Sequence, residues 1–429
     1  MRRTLLFYSF LLLPLVAEAQ ITQTLRGVVV DQESQSRLWA ASVSVFAGEE
    51  TVGGTTTDSA GRFSITGIPI GAYTVQVSSL GYAKRVIPNL VFTSGKEVVL
   101  HVELTDEGQK IQEVIVRAEK KGLVNEMALV SAYRFDVEET ERFAGSRGDP
   151  ARMASNYAGV QGADDSRNDI IIRGNFPQGV LWRLEDIPIP SPNHFAVPGS
   201  SGGPVSMINN KTLGNSDFFA GAFPAEYGNA IGGVFDLKMR KGNPARHELS
   251  LQLGFLGTEL GAEGPLFKKS GASYLLAYRY STLKLFEGLN IKIGTNSVPN
   301  YQDAALKLNF PIGKKSNISV FGIGGLSNID LVVSKFEEPT DELYGEDDRD
   351  QYFTSNTGVA GVSFQSSLNK NTLLKAVIGQ TFTETYAQHD KVFRNAFFKV
   401  DSLKNMRLRS LILGNLFILT SYQFYLNKT

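Results

Sequence analysis

The sequence predicts a mostly β protein: an N-terminal β-sandwich, a mixed α/β segment, then a run of long antiparallel strands. Three observations carry this. Glycine (42 residues) and aromatic residues (10%) are both abundant, which suits strands joined by tight turns. Residues 22–104 hold five short runs rich in Val, Thr and aromatics, separated by turn signals. From residue 245 onward apolar and polar residues alternate over long stretches, the period of a strand with two unlike faces.

Composition narrows the function classes. At 429 residues the chain is long enough for two or three domains. Lys+Arg and Asp+Glu are equal at 43 each, so no global field recruits nucleic acid. Cysteine is absent, which excludes disulfides and thiolate metal sites. The four histidines (His101, His194, His247, His389) are far apart in sequence, so neither a metal nor a cofactor is expected. With 20% charged residues the chain is too polar for a helical membrane bundle.

Residues 1–19 read as a signal peptide. Arg2 and Arg3 precede an apolar run from Leu5 to Val16, and Ala17-Glu18-Ala19 offers small residues for cleavage before Gln20. That run is too short for a spanning helix, which needs about 20 residues. The mature chain is expected to leave the cytoplasm.

Residues 20–104 form the sandwich. Its runs are TLRGVVVD, ASVSVFAG, RFSITG, AYTVQVSSLGY and EVVLHVEL, with turns at DSAG (58–61), IPIG (68–71) and TSGK (93–96). Tyr73, Val75 and Val77 point one way, Thr74, Gln76 and Ser78 the other. The phrase TTTDSAGRFSITGIPIGAYTVQVSSLGY, with its TD-x-x-G-x-F turn and G-x-Y-x-V strand, resembles the carboxypeptidase regulatory-like domain. That module is an accessory in metallocarboxypeptidases, so the resemblance brings no catalytic residue, and no H-x-x-E zinc pair occurs in the chain.

Residues 105–121 are a polar linker around Val114-Ile115-Val116. This short β-prone segment is either the last strand of the sandwich or a tethered strand that adds to a partner's sheet edge. In residues 122–243, VSAYRFDVEETERF and DPARMASNYAG read as helical or irregular, and DIIIRGN, GVLWRLEDIPI and GGVFDLKMR as strands. The Pro-, Gly- and Ser-rich stretch 190–211 is a long loop, and loops of that length inside a compact domain are usually functional. Gly199-Ser200-Ser201-Gly202-Gly203 matches G-x-S-x-G, but flanking Pro198 and Pro204 leave no strand–turn–helix context for hydrolysis.

Five ordered elements carry a second resemblance. They are Tyr157-Ala158-Gly159-Val160, Ile172-Arg173-Gly174, Val180-Leu181 with Glu185-Asp186-Ile187-Pro188, Ala225-Glu226-Tyr227-Gly228, and Gly232-Gly233-Val234. In that order they resemble the plug domain of TonB-dependent outer-membrane receptors. Ala158 stands where the family has Pro, and Glu185-Asp186 where Asp-Gly is common. The resemblance implies that Glu113, Val114, Ile115 and Val116 are a TonB box. It also makes Arg173, Gly174, Asp186, Glu226, Tyr227, Gly228, Gly232 and Gly233 structural motif positions of the plug. Arg173 and Glu226 are either a buried pair or two separate surface charges. Asn193, His194 and Phe195 on the long loop are candidate ligand contacts. FPAEYGNAIGGVFDLKMRKGN (223–243) becomes the last plug strand: Phe235, Leu237 and Met239 face the plug core, Asp236, Lys238 and Arg240 face away, and glycines allow a close approach at its start.

By the same resemblance residues 244–429 are the N-terminal part of a transmembrane β-barrel. Leu249, Leu251, Leu253 and Phe255, then Tyr274, Leu276, Tyr278 and Tyr280, then Leu306, Leu308 and Phe310, then Leu374, Ala376, Ile378 and Phe382 each share one face. The stretch is expected to supply eight to ten strands of a 22-stranded family barrel, which reads as a truncated copy. The acidic stretch 335–352 has no calcium-loop spacing and reads as solvated charge. The implied function is energised uptake of a scarce nutrient (a siderophore, a cobalamin-like molecule or a glycan) across a Gram-negative outer membrane. The implied partners are TonB with its inner-membrane complex, the ligand and membrane lipid. No enzymatic activity is expected. A secreted or surface β-sandwich adhesion protein is the alternative.

Overall fold

The computed structural model describes residues 22–104 and 132–424, except 33–35, 93–96, 136–139, 141–144, 147, 163–166, 197–201, 215, 255–256, 268–269, 283–298, 314, 336–347, 370–371, 395–399 and 413–415. The signal-peptide segment, Glu113 to Val116 and most of the acidic stretch lie outside the described residues. The chain divides into two compact units between Val114 and Ile115.

In the first unit the strands are β1 (Thr22–Asp31), β2 (Ser42–Ala47), β3 (Glu50–Thr56), β4 (Arg62–Pro69), β5 (Gly71–Ser78), β6 (Arg85–Phe92) and β7 (Val98–Leu104). They form two sheets, ordered β4-β1-β7 and β3-β2-β5-β6. Val75 and Val77 meet Leu25, Val43, Val45, Phe63 and Phe92 in one buried cluster, as the alternation of β5 requires. The turn at 58–61 is built by its sequence. The Asp58 carboxylate accepts from the amides of Ala60 and Arg62, both at 2.8 Å. Gly61 sits at φ +67° with its Cα facing the Val29 carbonyl, where a Cβ would lie 2.6 Å from that oxygen.

Two strands were absent from the sequence expectation, and both are sheet edges. β3 carries Gly53-Gly54 and β6 carries Pro88, residues that weaken a strand signal but are tolerated at an edge.

The second unit opens with an inner sheet. Its elements are β8 (Ala132–Phe135), α1 (Pro150–Ala154), β9 (Val160–Gly162), β10 (Ile170–Ile172), β11 (Val180–Leu184), β12 (Ile187–Ile189), β13 (Asn193–His194), β14 (Val205–Ser206), β15 (Ser216–Phe219) and β16 (Gly233–Leu237). Five of them pair in the order β12-β11-β16-β15-β8, with only β11 and β16 parallel. The expectation of helical or irregular backbone around 130–143 is corrected at β8, which pairs with β15 from Ala132 to Phe135. Helix survives as α1, five residues long, begun by Pro150 and capped by Asp149, whose carboxylate accepts from the Ala151 amide at 2.8 Å. Stacked aromatics fill the sheet: Trp182 on Phe235 at 3.9 Å and Tyr133 on Tyr157 at 4.2 Å.

Around this sheet runs a wall of β17 (Glu248–Leu253), β18 (Thr258–Pro265), β19 (Ser273–Tyr280), β20 (Asn300–Ile312), β21 (Ser316–Leu331), β22 (Arg349–Asn369), β23 (Thr372–Arg394), β24 (Val400–Ile412) and β25 (Leu416–Phe424). Each pairs antiparallel with the next as far as β24. β24 and β25 lie along successive stretches of one side of β23, since β22 occupies the other. One face of the wall packs on the inner sheet: Ala277, Ala305, Phe321, Ile323, Val359 and Val377 join a cluster with Leu184, Ile187 and Leu237. The other face is apolar and exposed, with Leu249, Leu251, Leu253, Leu260, Leu306, Val362, Ile378 and Phe382.

That outer face changes character at one level. On β21 Leu326 gives way to Asn328, and on β23 Phe382 gives way to Glu384. Asn356 of β22 stands between Leu326 and Glu384 in the ladder, so the boundary crosses three strands together. No helix among the described residues is long and apolar enough to cross a membrane.

Candidate functional site: the junction of inner sheet and wall

The strand that ends the inner sheet shows what the junction is made of. Its alternation predicts one solvated face, yet every residue of β16 is buried. This corrects the half-buried reading, and the reason is topological: β16 is flanked by β11 and β15 and covered on both sides. Its charge is paired rather than solvated. The Asp236 carboxylate accepts from the Tyr227 hydroxyl at 3.0 Å and lies 3.1 Å from the Lys238 ammonium. Gly233 begins the strand where a Cβ would lie 2.5 Å from the Phe219 carbonyl oxygen and 2.6 Å from Ile172. Only glycine fits there.

The β11–β12 hairpin turns on Glu185 and Asp186, both at positive φ (50° and 72°), the conformation of a two-residue hairpin turn. Asp tolerates this backbone; Glu does so here under the restraint of its side chain. The Glu185 carboxylate accepts from the Met239 amide and from the Lys307 ammonium of β20, each at 2.7 Å. Lys307 also donates to the Met239 carbonyl at 2.7 Å. Asp186 is paired with Lys238, with Arg183 at 3.4 Å, and with Lys375 of β23. Burial on its own raises both carboxyl pKa values, but the surrounding ammonium groups outweigh it and hold both below the usual range. Burial likewise lowers Lys238, and Asp186, Asp236 and Glu185 more than reverse this. Beside the hairpin Ile187 presses into the wall at Gly379, where a Cβ would lie 2.8 Å from it.

A second fastening lies farther along the wall strands. Asn193, His194 and Phe195, the candidate ligand contacts, are buried to 2%, 1% and 7% exposure. The wall encloses this part of the loop, which spends its polar atoms on it. His194 Nε2 is 2.9 Å from the Asp303 carboxylate, which also accepts from Arg279 at 2.8 and 2.7 Å. The Phe195 amide donates to Ser327 Oγ at 3.1 Å, and Ser355 Oγ donates to the Ala196 carbonyl at 3.1 Å. The Asn193 side-chain oxygen accepts from Asn168. Burial pushes the His194 pKa down, and the bond to Asp303 offsets part of that. His194 and Met207 seat against Gly325, where a Cβ would lie 2.6 and 2.4 Å from them. A third fastening is Arg240 to Glu263 of β18, two bonds at 2.6 and 2.8 Å.

The other motif positions lie away from the wall. Arg173 and Gly174 form a turn at φ 50° and 78°, with the Arg173 amide donating to the Gly159 carbonyl at 2.8 Å. Arg173 and Glu226 are both exposed, so the buried-pair alternative does not describe them. Tyr227 is buried, with the Arg183 guanidinium 4.7 Å from its ring centre. Gly228 meets no neighbour that a Cβ would touch, and the Gly232 amide donates to the Gly179 carbonyl at 2.9 Å. Sequence reasoning missed the wall's half of the junction, Glu263, Arg279, Asp303, Lys307 and Lys375. The available signal was a charged residue at the plug-facing parity of an alternating strand, as in Ala305, Lys307 and Asn309. The described residues hold no cluster suited to a metal ion.

The family model of the carboxypeptidase regulatory-like domain matches residues 24–105. That match coincides with the sandwich. No curated protein matches the chain. Among solved structures, the siderophore receptor PirA from Acinetobacter baumannii aligns at 12% identity over 62% of this chain and 46% of its own, with a TM-score of 0.36. The ferric enterobactin receptor PfeA from Pseudomonas aeruginosa aligns at 14% identity over 66% of this chain and 46% of its own, with a TM-score of 0.40. The chain thus spans less than half the length of these receptors.

Proposed function

We propose that this chain is a TonB-dependent outer-membrane receptor for energised uptake of a small-molecule nutrient. The observation that carries the reading is the inner sheet, fastened by its own charged and polar side chains inside a wall whose opposite face is apolar. From Ile318 to Leu326 that outer face spans nine residues of β21, and a tilted transmembrane β-strand needs about 9–11. The order of plug motifs in the sequence supports the same reading. An outer membrane holds no nucleotide pool, so energy arrives through a partner; Glu113 to Val116 would pair with TonB by strand addition. PirA and PfeA suggest a siderophore as the first ligand class to try, starting with ferric enterobactin.

The test is deletion of residues 113–117 in cells carrying the full chain. Surface binding of ligand is expected to persist while accumulation stops. Unchanged accumulation contradicts the assignment, and a product that fractionates as soluble without detergent supports the adhesion alternative instead.

A further inference from the structure

The loops at one end of the sandwich hold two large apolar side chains out in water. Register defines that end. Ser42, the first residue of β2, is the ladder partner of Thr56 at the close of β3 and of Ser78 at the close of β5. β1 and β7 finish at the same end, with Asp31 opposite Leu104. Just beyond Ser42 and Ser78 stand Trp39, 72% exposed, and Leu80, 100% exposed. Among the described residues of the first unit these are the two most exposed large apolar side chains.

Neither sits on a loose tip. The Thr57 hydroxyl accepts from the Ala41 amide at 2.8 Å and donates to the Leu38 carbonyl at 2.7 Å. The Ala40 amide donates to the Thr57 carbonyl at 3.1 Å, and Leu38 is buried in the sandwich core. Trp39 is thus displayed between anchored neighbours. Leu80 follows Ser79 in a turn closed by the Tyr82 amide on the Ser79 carbonyl at 3.1 Å. Gly81 supplies the positive φ, 83°, that the third position of a type II turn requires, and Tyr82 packs on the core. Single exposed apolar residues are ordinary, but two at one end, each on a fixed turn, mark a contact surface.

The chemistry of this end selects the partner. A sugar ring would stack on the indole and leave Leu80 in water. A lipid surface takes both, with Trp at headgroup depth and Leu among the upper chain segments. Among the described residues, the exposed charges beside the two turns are Arg37, Arg62 and Lys84 against Asp58, whereas the far end presents Glu49 and Glu50. The chain also leaves the sandwich at the Trp39 end, and residues 105–131 lead from there to the unit whose wall has an apolar outer face.

We propose that the end of the sandwich bearing Trp39 and Leu80 is a membrane-docking surface, which seats both side chains in the headgroup region of a phospholipid leaflet. This rests on the receptor reading for the presence of the bilayer, and gives the accessory sandwich a role of its own.

The sample is the full chain reconstituted into vesicles of phosphatidylethanolamine and phosphatidylglycerol, and lipids brominated along the acyl chain are the quencher. The chain has two tryptophans, and Trp182 is buried in the inner sheet. The fluorescence difference between wild type and Trp39→Phe therefore reports Trp39. Brominated lipid is expected to reduce that difference by about twofold, as residence in the interface requires. Leu80→Asn is expected to abolish most of the quenching, and Ile70→Asn, at the far end beside Pro69, to leave it unchanged. Both substitutions fall on exposed turn residues, and matching melting curves will verify their fold. Absence of quenching in vesicles that hold the chain, or quenching that survives Leu80→Asn, overturns the docking surface while the receptor reading stands. Unquenched Trp39 that is nonetheless shielded from acrylamide also overturns it, and places a protein surface there instead. A chain that does not float with the vesicles overturns both.

Discussion

The sandwich and the inner sheet are both built from alternating strands, yet they treat the polar half of the alternation in opposite ways. In β4, Phe63 and Ile65 are buried while Arg62 and Ser64 are exposed to water. In β16, Val234 and Phe235 are buried, and so is Asp236, held by Tyr227 and Lys238. A sandwich has one solvated face per sheet; a sheet enclosed by a wall has none. Alternation reports two unlike faces without saying whether the polar one meets water or a partner. The difference in energy is large, because a buried charge that loses its partner keeps its desolvation penalty.

Four measurements test that contrast, the largest effect first. Lys307→Ala leaves the Glu185 carboxylate buried without its ammonium, and unfolding of the second unit is expected to become easier by about 3–5 kcal/mol. Adding Glu185→Gln should recover much of the loss; no recovery would mean that Lys307 acts through packing. Asp236→Ala strands the Tyr227 hydroxyl and leaves Lys238 with Asp186 alone, and is expected to cost about 1–3 kcal/mol in the same unfolding experiment. A cost near zero would place that face in water after all.

The third test uses pH. His194 has a folded pKa below its unfolded value of about 6.5. The unfolded chain therefore binds the proton more tightly, so stability from this group is complete above that pH and declines as pH falls through it. Melting temperature should drop on acidification from pH 7 toward 5, and His194→Gln should flatten the part due to this residue. An unchanged slope in that variant would assign the acid sensitivity elsewhere. Smallest of all, Ser64→Ala on the exposed face of β4 should stay within about 0.5 kcal/mol in unfolding of the first unit.

Much of the architecture was legible because it depends on local pattern. The Asp58–Gly61 turn, the alternation of β5 and the close approach at Gly233 follow from the residues themselves. The unread parts depend on distant chain. Glu185 and Lys307 are 122 residues apart, and nothing local to either says they meet. Asn193, His194 and Phe195 have the composition of an exposed loop, and the wall that encloses them begins more than 50 residues later. β8 is short, and its strand character comes from pairing with β15. β3 and β6 hid behind Gly53-Gly54 and Pro88, since edge strands tolerate what central strands exclude.

The notches at Gly379 and Gly325 index the plug against the wall. Ile187 occupies one and His194 with Met207 the other. The next positions on the same face are Val377 and Thr381 on one strand, Ile323 and Ser327 on the other. Sliding by a single repeat would drive each knob into a side chain, as a key jams between the wards of a lock. Travel along the wall is thus barred in small steps, and any passage through it must begin with the knobs lifting out sideways or the plug itself unravelling.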